Sequence, residues 1–204
     1  MTLLLLRHGE SEGNVRRVIQ GWSPFPLTER GRAQAEAAGR YLASLGPAVL
    51  YSSPLPRARE TAEAAARHTG LDIVDLDDLR EYHFGEAEGL TWDEAASRWG
   101  LAERDWGIGT VPGEEGIPAF QQRVARRIDV LIERHANDLA VCVVHGGVLG
   151  ATVAHLCGLP PGEHAQIYSG NCSITAIEVQ FERPVITALN HQCHLRAGQV
   201  EAPL

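Results

Sequence analysis

The chain has 204 residues, 44% hydrophobic and 22% charged, proportions that fit an ordinary globular protein and exclude a disordered or fibrous one. All 18 of its basic residues are arginine, against 26 acidic residues, for a net charge of −8. With no lysine there is no Walker A phosphate loop, Schiff-base lysine or lysine general base, and the acidity argues against broad nucleic-acid binding while leaving room for a small anion held by a few buried arginines.

The apolar run Thr2 to Leu6, ended by Arg7-His8-Gly9, reads as a short buried strand entering a polar loop. Thr28 caps a helix in which Ala33, Ala37, Tyr41, Leu42 and Leu45 recur at helical spacing up to Gly46-Pro47. A second strand runs from Ala48 to Tyr51. Ser53-Pro54 then predicts a helix start, with an alanine-rich helix continuing to His68. Leu71 to Leu76 reads as a strand and residues 79 to 90 as irregular. Thr91 and Glu94 have capping-box spacing and open a short helix. Trp99 to Gly116, with five glycines and a proline, reads as a loop or small cap over the core. Phe120, Val124, Ile128 and Leu131 mark an amphipathic helix, and Leu139 to Val144 a strand ending at His145-Gly146-Gly147. A helix from Val148 to Cys157 and closing strands at Cys172 to Val179 and Val185 to Leu189 complete the chain.

This alternation predicts an α/β fold: three layers, a mostly parallel central sheet, helices on both faces and a small cap insertion. Residues 1–204 read as one domain, with about 92–116 as the cap. The first residues lack a charged n-region and a long apolar core, so no secretory signal is expected, and no apolar run suggests a membrane span. Cys142, Cys157, Cys172 and Cys193 stand far apart, suggesting neither a disulfide framework nor a zinc ribbon and favouring a reducing cytoplasm.

In such sheets ligands bind beyond the carboxyl ends of the strands. Those positions hold Arg7-His8, Ser52-Ser53 leading to Arg57, and His145. Two guanidiniums and two imidazoles aimed at one rim suit a phosphoryl group, because arginine presents a planar fork of donors and a neutral imidazole offers a nucleophilic lone pair. Metal is not required by this chemistry, and no cofactor is implied.

The ordered set of motifs resembles the histidine phosphatase superfamily, also called phosphoglycerate mutase-like. It comprises Leu6-Arg7-His8-Gly9-Glu10-Ser11 with Asn14, Leu27-Thr28-Glu29-Arg30-Gly31, Ser52-Ser53-Pro54 to Arg57-Ala58-Arg59-Glu60-Thr61, Leu79-Arg80-Glu81, Phe84-Gly85, Glu88-Gly89 and Val143-Val144-His145-Gly146-Gly147. Asn190 to Leu195 fits the family's ending. The resemblance implies that His8 attacks phosphorus, that Arg7, Arg57 and His145 surround the phosphoryl oxygens, and that Glu81 gives the leaving oxygen its proton and later activates water. It also implies substrate contacts from Ser11 and Asn14, an entrance lined by Gln20-Gly21, a place for Gly146 beside the phosphoryl group, and a homodimer as an option. For Ser11, Asn14 and Gln20-Gly21 the alternatives are an N-cap serine, a turn asparagine and a surface loop.

The resemblance is to the phosphatase branch of this family; the family's mutases carry a lysine after the proton-donor loop, a basic insertion with paired arginines, and a tryptophan before the first asparagine. This chain has Trp92, a glycine-rich stretch and Gly13 at those places. It also has Phe84 where those mutases carry tyrosine, although His83-Phe84-Gly85 keeps a mutase-like look. Hydrolysis of a small-molecule phosphomonoester is therefore expected, with mutase activity as the alternative and a noncatalytic phosphate-binding module as another. Trp22, Pro24, Phe25, Tyr82, Phe84, Trp92, Trp99 and Trp106 read first as packing of the cap and second as a surface for a ring-bearing leaving group. Arg98 and Arg104 are the few cations of the cap. Three other patterns compete: Gly9-Glu10-Ser11-Glu12-Gly13 matches a serine-hydrolase elbow, Asp75-Leu76-Asp77 an aspartyl nucleophile, and His191-Gln192-Cys193-His194 a metal-binding tail.

Overall fold

In the computed structural model, which describes residues 2–102, 107, 109–163, 165 and 167–196, the alternation of apolar residues along the strands organises everything else. The central strand β1 (Thr2–Arg7) sends Leu3 and Leu5 to one face and Leu4 and Leu6 to the other. Each of these four leucines is buried, a gain of roughly 1.5–3 kcal/mol per side chain. The same period runs through β4 (Leu139–Val144), whose Ala140, Cys142 and Val144 join Leu3 and Leu5 while Val141 and Val143 join Leu4 and Leu6. A sheet covered on both faces needs helices on both, and the chain supplies them.

One layer contains α2 (Glu29–Leu45) and α3 (Pro56–Thr69), whose Ala35, Ala38, Ala58, Ala62 and Ala65 allow close approach of the two helices to the sheet. The other contains α5 (Ile117–Arg134), burying Phe120, Val124, Ile128 and Leu131, and α6 (Gly146–Leu156), burying Val148, Leu149 and Ala151. The six strands lie in the order β3 (Ile73–Asp75), β2 (Val49–Ser52), β4, β1, β5 (Ile174–Gln180), β6 (Arg183–His191). The first four are mutually parallel; β5 and β6 form an antiparallel hairpin at the edge. A separate small cluster of Ile19, Ala87, Ala95 and Val111, with Phe84, Leu90, Trp99 and Leu101 against it, ties the irregular stretch and α4 (Trp92–Trp99) to the loop after β1. Trp106 and Arg104 lie outside the described residues.

Four helices depart from the sequence expectations, the first three for physical reasons. The polar loop after β1 contains a short helix, α1 (Glu12–Arg16), too brief to show an apolar stripe. The α3 helix begins at Pro56 with Leu55 as its cap; the Ser53 side chain that was expected to cap it points instead at His145, 2.7 Å away. The α6 helix begins at Gly146, two residues before the expected Val148, because its first turn is glycine, a weak helix former that hides the start. The last helix, α7 (Cys193–Arg196), was not expected. All four cysteines are free, Cys142 and Cys172 buried and Cys157 and Cys193 exposed. Among the described residues no helix is long and apolar enough to cross a membrane.

Candidate active site

Parallel pairing brings three strand ends to one level. Arg7 stands opposite Val144 and Ser52 opposite Val143, so the residues that follow (His8, Ser53 and His145) leave the sheet side by side. The backbone continues the ladder one step further, with His8 N–H donating to the Val144 carbonyl and Ser53 N–H to that of Val143. The constellation of arginines and histidines expected from sequence is therefore assembled by register.

His8 is buried, and its Nδ1 lies 2.7 Å from the Gly9 carbonyl. A carbonyl can only accept, so Nδ1 carries the proton and Nε2 keeps its lone pair. The Arg57 Nε–H donates to that same Nε2 at 3.3 Å, consistent with this tautomer. Burial, reinforced by Arg57 and Arg7, holds His8 well below the ordinary histidine value of 6.5, against a weaker upward pull from the Gly9 bond. A buried neutral imidazole results, its Nε2 lone pair turned toward Arg57.

Arg57, only 1% exposed, is fixed by the Gly21 carbonyl at 2.8 Å and the Ser23 carbonyl at 3.3 Å. Burial lowers its pKa to about 10, partly offset by Glu81 and Glu88, so it stays charged at neutral pH. The loop that receives it is held by Glu88, whose carboxylate accepts from Trp22 N–H and Phe84 N–H and from the Ser23 hydroxyl. Gly21 has φ +48, and a Cβ there would lie 2.0 Å from the Glu88 carboxylate, so this turn requires glycine.

Arg7 donates to the Ser169 carbonyl through Nη1, while its buried Nε has no partner among the described residues. Burial lowers its pKa, and Glu81 acts in the opposite direction. The rings of His8 and His145 lie 5.2 Å apart. His145 is also buried and held well below 6.5, first by burial and then by Arg57. Its Nε2 meets the Ser53 hydroxyl, and its Nδ1, like Arg7 Nε, is buried with no partner among the described residues. Unsatisfied buried polar atoms are costly, and two of them beside His8 fit a site built to surround an anion.

Glu81 closes the site. Its Oε2 accepts from Gly147 N–H and its Oε1 from Tyr82 N–H, both at 2.9 Å. A Cβ at residue 147 would stand 2.1 Å from Oε1, so only glycine at the start of α6 lets the carboxyl approach. The Glu81 carbonyl is held from both sides, by Trp22 Nε1–H at 2.7 Å and by Arg123 at 3.3 Å. Arg123 in turn forms a two-point pair with Glu115 and donates to the Asp78 and Arg80 carbonyls, so it fastens the whole loop.

The expected substrate contacts fall differently. Ser11 is completely buried as the cap of α1, its Oγ 2.7 Å from Gln20 Oε1 and 2.9 Å from Asn14 Oδ1. Asn14 Oδ1 also accepts from Asn171, which donates to the His8 carbonyl as well. Ser11, Asn14 and Gln20 thus form a brace under the His8 loop. With these partners and no histidine base, Ser11 is not a nucleophile elbow. Asp75 pairs with Arg59 and Asp77 with Arg80 on the surface. His191 and His194 stack on Tyr41, and His194 donates to the Cys172 carbonyl. Ser53, Thr61, Arg123 and Asn171 were not singled out as site residues. Thr61, which accepts from Gly9 N–H and donates to the Arg57 carbonyl, closes the Arg57-Ala58-Arg59-Glu60-Thr61 motif; nothing local in the sequence marks Asn171.

Beyond Gly146 and Gly147 opens a cavity of about 550 Å³ lined by Tyr82, Phe84, Trp92, Ile117, Phe120 and Ile167 among others. This size lies within the ~300–1,000 Å³ range of small-molecule sites.

An α/β sheet whose strand ends present a neutral histidine between two arginines, with a second histidine and a carboxyl facing it, defines a phosphoryl-handling protein. Residues 3–192 match the histidine phosphatase superfamily, branch 1, and the chain belongs to that family. It is 34% identical over 185 residues to the protein named "Probable phosphoglycerate mutase GpmB" from Salmonella paratyphi C, covering 88% of this chain and 86% of that one. Among solved structures, Bacillus stearothermophilus YhfR superposes with a TM-score of 0.86 at 33% identity, covering 95% of this chain and 98% of that one. A phosphoserine phosphatase from Entamoeba histolytica, solved with phosphoserine, gives 0.82 at 27% identity, covering 95% and 98%. A mycobacterial glucosyl-3-phosphoglycerate phosphatase gives 0.83 at 30% identity, covering 93% and 99%. Family and neighbours together indicate phosphatase or mutase activity.

Proposed function

We propose that the protein hydrolyses a small-molecule phosphomonoester without metal, through a phosphohistidine on His8. The observation that carries this reading is the His8 tautomer: Nδ1–H is spent on Gly9, and the Nε2 lone pair faces Arg57. His8 Nε2 attacks phosphorus, the P–O ester bond breaks, and the leaving oxygen takes the proton of the Glu81 carboxyl. In the second step Glu81, now a carboxylate, removes a proton from water. The oxygen of that water attacks phosphorus, the P–N bond breaks, and inorganic phosphate leaves with His8 neutral again. Arg7, Arg57 and His145 hold the equatorial oxygens; the buried Arg7 Nε and His145 Nδ1, without hydrogen-bond partners among the described residues, support that role. Gly146 lies against Arg7 at the border of the cavity, and Ser11, Asn14, Gln20 and Gly21 act by shaping the His8 and Arg57 loops. On this reading the chain works as a single domain whose cap, about residues 92–116, covers the leaving group, and it acts in the cytoplasm.

The mutase reading is favoured by the relative from Salmonella and opposed by the chain's lack of lysine. Incubation with 3-phosphoglycerate and 2,3-bisphosphoglycerate separates the two: phosphate release without 2-phosphoglycerate is expected. Conversion to 2-phosphoglycerate faster than phosphate release would reverse the assignment.

A further inference from the structure

We infer that the substrate is the phosphate monoester of an apolar alcohol, ring-bearing or branched, with no second anionic group. The inference rests on the phosphohistidine reading above and concerns the other half of the substrate. Glu81 stands at the border of two spaces: its carboxyl is bonded to Gly147, and Gly146 and Gly147 line the apolar cavity. A leaving oxygen that receives the Glu81 proton therefore carries its organic group into that cavity.

The wall there is hydrocarbon held in place. Tyr82 packs edge-on to Phe84 with centroids 4.7 Å apart and to Phe120 at 5.5 Å, and Phe84 meets Trp92 at 5.5 Å. Such pairs fix a rigid surface on which another ring or a branched alkyl group packs well. Two polar groups of the wall are engaged by the protein, and a third, the hydroxyl of the exposed Tyr168, is neutral and offers an anion no counter-charge. The Tyr82 hydroxyl donates to Glu114 and accepts from Gly116 N–H, and the Gln121 amide is bonded at both ends to the turn at Gly162 and Glu163. No charged residue lines the cavity among the described residues. The nearby Arg123 is committed to Glu115 and Arg98 to Glu86. A carboxylate or second phosphate would lose its hydration against this wall without gaining a counter-charge.

The test is kcat/KM along methyl, ethyl, propyl and butyl phosphate, whose alcohols leave with nearly equal ease, so that only the apolar group changes. Each added methylene should raise kcat/KM by about fourfold until the cavity is filled. Butyl phosphate should also exceed 3-phosphoglycerate and phosphoserine. A flat series, or a preference for either charged ester, would overturn the inference. A failure of the reaction reading looks different: no phosphohistidine forms from any of the esters. Ile167→Arg places a cation on the wall and should move the ratio of 3-phosphoglycerate to butyl phosphate efficiencies upward by about tenfold or more. An unmoved ratio in the folded variant would also count against it, and the wild-type series decides the question should that variant fail to fold.

Discussion

The phosphoryl pocket and the apolar cavity meet at Gly146 and Gly147, yet opposite kinds of chemistry build them. In the pocket nearly every polar atom is buried and directed by backbone: Gly9 sets the His8 tautomer, Gly21 and Ser23 aim Arg57, and Gly147 seats Glu81. In the cavity the wall is mostly apolar, and the polar tips of Tyr82 and Gln121 are bound to neighbouring protein groups. The pocket comes from adjacent strand ends whose register fixes positions to within a hydrogen bond. The cavity comes from separate segments, the irregular stretch after β3, α5, α6 and the chain before β5. Reaction and choice of substrate are thus placed on different parts of the fold, and the first can stay constant while the second changes.

Substitutions in the pocket should slow every ester, whereas those in the cavity should reorder them. The largest effect expected is for Glu81→Gln, which removes the proton donor: single-turnover kinetics should show phosphoenzyme formation slower by about 10²–10⁴ on alkyl phosphates and much less on 4-nitrophenyl phosphate, whose leaving group needs no proton. Equal losses on both would place the proton elsewhere. Arg123→Met frees the Glu81 loop without touching substrate, and kcat should fall about tenfold with KM little changed, the mark of a misplaced carboxyl. A shift in KM alone would make Arg123 a binding contact instead.

Stability offers a third test of the buried pocket. His8, His145 and His194 are all lowered in the folded state from 6.5, by burial first. The unfolded chain therefore binds more protons just below that value, and stability is retained above 6.5 and lost as pH falls beneath it. The urea midpoint should drop as pH goes from about 7.5 to 5, and His8→Asn should flatten that slope. The smallest effect is electrostatic. With a net charge of −8 around a confined cationic pocket, long-range steering is weak, and kcat/KM should change less than about threefold between low salt and ~0.2 M. A steep fall with salt would mean that the field of the pocket reaches into solvent.

Much of this was legible in the sequence where a repeating physical constraint writes itself into it. The two-sided burial of β1 and β4 made apolar runs, and the buried stripe of α5 made a 3.6-residue period at Phe120, Val124, Ile128 and Leu131. The Thr28 cap and the stop at Gly46 bounded α2 correctly, and the Thr91–Glu94 capping box opened α4. Legibility failed where one residue served two demands. Ser53 looks like a cap because serine caps helices, but its hydroxyl is taken by His145. Gly146 and Gly147 look like a loop because glycine disfavours helix, but close approach of Glu81 requires glycine at 147, in the first turn of α6. The hairpin turn between β5 and β6 uses Phe181 and Glu182 at positive φ with no glycine to announce it. The cavity left only a faint sequence trace: its aromatics Tyr82, Phe84 and Trp92 read first as ordinary packing and only second as a surface for a leaving group until the segments are brought together.

The most direct measurement is a rapid acid-free quench with a ³²P-labelled phosphomonoester, followed by mapping of the labelled residue. The account predicts a phosphoenzyme that is stable in base, labile in acid, located on His8 and absent from His8→Ala. Turnover that proceeds with no such species, or a label that persists in His8→Ala, would contradict it.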